Sequence, residues 1–125
     1  MGRAWIGAML GMLASANLWA ADVHDVRLWR APDHTRVVFD LTGPAQHKLM
    51  VLSNPGRIVL DIENTSLKSN LADLKLDGTP IKQIRSGVRE GDDLRVVLDV
   101  GAQVDPRSFV LKANEKAGDR LVLDL

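Results

Sequence analysis

Residues 36–41 read RVVFDL, and the same arrangement returns as RIVLDI at 57–62, RVVLDV at 95–100 and RLVLDL at 120–125. Each stretch runs Arg, apolar, Val, apolar, Asp, apolar. Strict alternation marks an extended strand, because successive side chains point to opposite faces. One face of each strand is wholly apolar: Val37, Phe39 and Leu41; Ile58, Leu60 and Ile62; Val96, Leu98 and Val100; Leu121, Leu123 and Leu125. These residues are expected to form the core. The opposite faces repeat Arg, Val and Asp, as a sheet with one wet side does.

The spacing indicates an internal duplication. Arg36 and Arg95 lie 59 positions apart, and Arg57 and Arg120 lie 63 apart. A shorter signal agrees: Val23, Val26 and Arg27 before the first stretch match Ile81, Ile84 and Arg85 before the third. The repeated units are residues 23–65 and 81–125. In the first, residues 22–29 alternate with apolar groups on both faces, which predicts a partly covered strand. Turn residues at 31–34, the Gly43-Pro44 break and the turn at 54–56 then divide off strands at 36–41, 47–52 and 57–62. The second unit repeats the programme, again with four strands. Between them, Leu67, Leu71 and Leu74 fall at helical spacing with Thr65 or Ser66 as cap, which allows one short helix. Two amphipathic four-stranded units, neither able to cover its own apolar face, are expected to pack face to face. The predicted fold is all-β, a pseudo-symmetric sandwich of two roughly four-stranded sheets.

The first residues, MGRAWIGAMLGMLASANLWA, stand outside this pattern. One early cation, an Ala-, Leu- and Met-rich run and a small-residue end predict a secretory signal peptide over 1–21, cut after Ala20 or Ala21. Ser15 and Asn17 interrupt the run, which argues against a membrane anchor and stable insertion. Loss of residues 1–21 removes one cation, Arg3, and leaves 15 Lys and Arg against 16 Asp and Glu. Such a balance gives no field to recruit nucleic acid. The chain has no cysteine, so the fold must rest on its core and its hydrogen-bonded ladders.

Side-chain catalysis needs a nucleophile with a base, a metal-ligand cluster or a phosphate loop, and the sequence spells none of them. His24, His34 and His47 are dispersed without ligand spacing, and the serines sit in turn and cap contexts. No metal site and no cofactor are expected in this chain. The candidate site is instead the repeated polar face: Arg36, Asp40, Arg57, Asp61, Arg95, Asp99, Arg120 and Asp124. Cross-strand ion pairing would explain charge alone, since Lys and Glu would serve as well. The planar Arg fork, an Asp acceptor and an apolar Val floor suit a sugar carrying a short peptide with free carboxylates. Trp29 is the aromatic best placed to stack on a sugar.

The Val-x-x-Val-Arg pattern ending at Arg27, the stretch TRVVFDL at 35–41 and LSNPGRIVLDI at 52–62 resemble the AMIN domain family. This family lies at the N-terminus of periplasmic N-acetylmuramoyl-L-alanine amidases and in some type IV pilus secretins. The resemblance implies a two-sheet β fold at 22–125, periplasmic location at the division septum, and peptidoglycan as partner, with divisome or other envelope proteins as further candidates. It also implies a parent enzyme whose catalytic domain, with zinc as its metal, is not contained in this sequence. The rival reading is a protein-interaction module of an envelope machine.

Overall fold

The computed structural model describes residues 20–125, so the expected signal peptide lies almost entirely outside the described residues. Nine strands follow in order: β1 (Ala21–Arg30), β2 (Thr35–Leu41), β3 (His47–Leu52), β4 (Arg57–Ile62), β5 (Thr65–Leu67), β6 (Ile81–Arg89), β7 (Asp93–Val100), β8 (Arg107–Leu111) and β9 (Asp119–Asp124). They form a five-stranded sheet ordered β5-β1-β2-β9-β8 and a four-stranded sheet ordered β3-β4-β7-β6.

The two-sheet sandwich agrees with the sequence, but the division of the chain between the sheets does not follow the repeat. Neither half makes a sheet by itself. The β1–β2 hairpin joins β8–β9 from the second half, and β3–β4 joins β6–β7. The four repeated stretches are therefore the central strands, β2 against β9 and β4 against β7, both antiparallel. Their pattern explains why this pairing works. With the middle valines opposed, Val38 to Val122 and Val59 to Val97, the Arg that begins one strand lies opposite the Asp near the end of the other.

Of the core residues read from the alternation, ten are buried. Val100 and Leu125, at strand ends, are partly buried and pack against them. Leu94, Val23, Val26 and Ile81 complete the cluster. On the polar side Val38, Val59 and Val122 are also buried, contrary to a fully wet face. In register they are flanked by long or bulky side chains: Arg27 beside Val38, Phe109 beside Val122 and Met50 beside Val59. Arginine stems and apolar groups can cover such a floor while the charges stay in water.

The segment between the halves contains no α-helix. Residues 65–67 instead extend the first sheet, pairing in parallel with Ala21, Asp22 and Val23, and thereby protect the β1 edge. What remains of the expected helix is one 3₁₀ turn, Leu71–Asp73, capped by Asn70 rather than by Thr65 or Ser66. The Asn70 side chain accepts from the Ala72 amide at 3.0 Å.

Candidate functional site

Because the repeated stretches are central strands, their polar residues occupy the middle of two outer faces, one on each side of the sandwich. All four aspartates are held in two-bond arginine forks. Arg36 donates to Asp124 at 2.7 and 2.8 Å, and Arg95 to Asp61 at 2.8 and 2.8 Å. These are the cross-strand pairs that the register dictates. The other two aspartates turn to the outer hairpin strands: Arg27 donates to Asp40 at 2.7 and 2.9 Å, and Arg85 to Asp99 at 2.9 and 2.9 Å. The arrangement repeats from sheet to sheet, as the duplication requires.

The forks set the electrostatics. Hydrogen bonds from Arg95 hold the Asp61 carboxyl below the ordinary aspartate range, helped by Arg89 and Lys48 nearby. Arg85 lowers Asp99, and Arg36 lowers Asp124, the latter assisted by the charges of His34 and Arg107. The same bonds raise Arg27, Arg36, Arg85 and Arg95. Two-bond pairing of this kind fixes geometry as well as charge.

The eight predicted residues thus separate into two groups. Arg36, Arg95 and the four aspartates are engaged with protein partners. Arg57 and Arg120, at equivalent positions of the repeat, hold no carboxylate in a fork, although the charge of Arg57 still helps to lower Asp99. Among the described residues neither forms an ion pair: the Asp99 opposite Arg57 is taken by Arg85, and the Asp40 opposite Arg120 by Arg27. Arg120 Nε donates to the Gly118 carbonyl at 3.1 Å, leaving its other donors open. Arg27 and Arg85 were absent from the candidate site read from the sequence. Their signal was present in the matched Val-x-x-Val-Arg and Ile-x-x-Ile-Arg stretches before the first and third copies.

Among the described residues aromatic groups mark one outer face only. Arg27 lies over the Trp29 ring at 5.2 Å and Arg36 over the Phe109 ring at 5.6 Å, within cation–π range. Trp29 remains 53% exposed. In cross-strand register the five-stranded face reads Trp29, Arg36, Asp124, Arg107 along one row and Arg27, Val38, Val122, Phe109 along the next. The four-stranded face has Arg85, Val97, Val59 and Met50 in the corresponding row.

Reactive chemistry is harder to build. His47 Nε2 and Ser108 Oγ lie 2.9 Å apart and tie β3 to β8, where the two sheet edges meet. No carboxylate orients that imidazole among the described residues, and burial lowers its pKa. No group of three His, Asp or Glu side chains that could hold a metal ion occurs among the described residues. The zinc implied by the resemblance therefore finds no fitting ligand set there. What the faces offer is recognition by hydrogen bonds, charge and aromatic surface.

The AMIN domain family model matches residues 25–125. The chain belongs to the AMIN domain family. It is also similar to two curated proteins named N-acetylmuramoyl-L-alanine amidase AmiC. The one from Escherichia coli O6:H1 is 36% identical over 104 residues, covering 80% of this chain and 25% of the relative. The one from Neisseria meningitidis serogroup B is 30% identical over 103 residues, covering 79% of this chain and 25% of the relative. The chain thus spans about a quarter of each relative's length. In this AMIN domain no helix among the described residues is long and apolar enough to cross a membrane.

Proposed function

We propose that this AMIN domain is a non-catalytic module that binds peptidoglycan and holds a cell-wall amidase on its substrate. The observation that carries the reading is the repeated outer face: a rigid frame of arginine–aspartate forks with one open guanidinium in each sheet, Arg57 and Arg120. Open guanidinium donors suit the carboxylates and hydroxyls of a glycan bearing short peptides. The AmiC names of the relatives supply the substrate context. On this reading residues 1–21 direct export to the periplasm, and the domain concentrates the enzyme at the division septum. Hydrolysis of the bond between the glycan and its peptide, zinc-assisted as the resemblance implies, is assigned to another part of the parent protein.

The test is co-sedimentation of residues 20–125 with purified cell-wall sacculi, beside a folded variant carrying Arg57→Ala and Arg120→Ala. Pelleting of the native domain that falls several-fold in the variant supports the reading. Absence of native binding refutes it.

A second reading, docking to an envelope protein, draws on a separate observation. The edge strands β3 and β8 expose Met50, Val51 and Leu52, and Phe109, Val110 and Leu111. Unpaired strand edges with apolar side chains are able to accept an added strand. A partner retained after complete digestion of the wall would favour this alternative.

A further inference from the structure

A cavity of about 780 Å³ opens at one end of the five-stranded sheet, between the β1–β2 turn and the loop leading to β8. Its ionisable lining comprises Asp33, His34, Arg36, Asp105, Arg107 and Asp124. Four of these are already matched: Arg36 forks onto Asp124, and His34 Nδ1 meets Asp33 Oδ1 at 2.8 Å. Two are not. Among the described residues Asp105 and Arg107 make no ion pair and no side-chain hydrogen bond, and both are exposed. The cavity therefore presents Asp105 and Arg107 without ion-pair partners beside a wall that holds the Arg36–Asp124 fork and the Asp33–His34 contact.

Its position ties it to the aromatic face. Arg107 is the last member of the row Trp29, Arg36, Asp124, and Phe109 stands two residues further along the same side of β8. That places the two side chains about 7 Å apart along the strand. The other turn that the duplication generates, at β6–β7, has no such chemistry. The cavity beside it is about 380 Å³, and Asp92 is the only charged side chain among the described residues of its lining.

We propose that the end cleft is a subsite for the charged end of a short peptide, with Arg107 receiving a carboxylate and Asp105 an ammonium group, while an attached sugar lies toward Phe109. This rests on the wall-binding reading above and specifies which part of the polymer is read, and on which face. A ligand lacking either charge would leave one of the two side chains unmatched, so the subsite favours a zwitterionic end over a neutral glycan.

The test is a titration of isotope-labelled residues 20–125, which hold every strand and core residue, with the free tripeptide L-alanyl-γ-D-glutamyl-L-lysine, followed by amide shifts. Shifts are expected at 33–36 and 103–107. Arg107→Ala should weaken binding about tenfold, the scale of one charge-assisted hydrogen bond. Asp105→Asn should weaken it by a similar factor, whereas Lys116→Ala, an exposed cation beyond the other end of β8, should leave it unchanged. Shifts confined to other residues, no shifts, or an undiminished Arg107→Ala variant would overturn the proposal. Sacculi and peptide-free glycan strands separate the two readings. Equal sedimentation with both removes the peptide subsite and keeps wall binding. Sedimentation with neither removes wall binding, and the titration still decides the cleft.

Discussion

On the five-stranded sheet Trp29 stands beside Arg27 and Phe109 beside Arg36, whereas the equivalent places on the four-stranded sheet hold Gly87 and Met50. The forks beneath are the same on both sides, pair for pair. Features that the two halves share are those that antiparallel pairing of the repeat demands, so they serve the scaffold first. Features that differ are free of that demand. The aromatic groups, the larger end cleft and the unmatched Asp105 and Arg107 all fall on one sheet, which on the proposed wall-binding reading makes that face the more specialised.

The comparison can be broken outright by removing what both faces rest on. Phe39 is wholly buried between the sheets, and Phe39→Ala should cost about 3–5 kcal/mol in urea unfolding, with loss of binding on both faces together. A smaller effect separates the forks. The Asp61 side chain is 6% exposed against 23% for Asp99. Asp61→Ala strands Arg95 and should cost about 1–2 kcal/mol after allowance for solvent around the arginine. Asp99→Ala should cost less, and equal losses would contradict the graded burial of the two forks.

Acid unfolding tests the forks without mutation. The folded carboxyls of Asp61, Asp99 and Asp124 lie below their ordinary value of 3.8, so their stabilisation is full above that value and is lost as pH falls through the folded values. His47, lowered by burial, acts in the same direction at higher pH. Its folded form resists protonation, so stability should begin to decline as pH drops below the ordinary histidine value of 6.5. A melting temperature flat from pH 7 to pH 3 would contradict both.

The smallest effects on stability sharpen the contrast most. Trp29→Ala should change stability by less than about 0.5 kcal/mol, as at most exposed sites, yet reduce sedimentation with sacculi several-fold. Gly87→Trp is the converse. A Cβ at Gly87 meets nothing within 4 Å, so the backbone there leaves room for a side chain to begin. Gain of wall binding by this variant would show that the aromatic group alone distinguishes the faces. A folded variant with unchanged binding would show that the end cleft is also needed.

Much of this molecule was legible in the sequence. Period-two alternation located the strands, and the apolar set Val37, Phe39, Leu41, Ile58, Leu60 and Ile62 is buried as read. The partition between sheets was not legible for a physical reason. Arg-x-Val-x-Asp is electrostatically self-complementary in antiparallel register, so any copy satisfies any other, and the pattern cannot say that the first meets the fourth. The same degeneracy hid the identity of the open arginines. Only the structure shows that Arg27 and Arg85 arrive from β1 and β6 to occupy Asp40 and Asp99, leaving Arg120 and Arg57 over. At residues 65–67, an extended pairing with the β1 edge prevailed over the helical spacing of three leucines.

The exchange of hairpins between the halves has a consequence for the integrity of the chain. A cut within residues 68–80 would leave two pieces, each holding one hairpin of each sheet and so half of both walls of the core. In each piece the central strands keep their hairpin partners but lose the neighbour on their other side, since β2 also pairs with β9 and β4 with β7. The two pieces are therefore obligate complements, and the nicked domain is a heterodimer in which each fragment is the other's template.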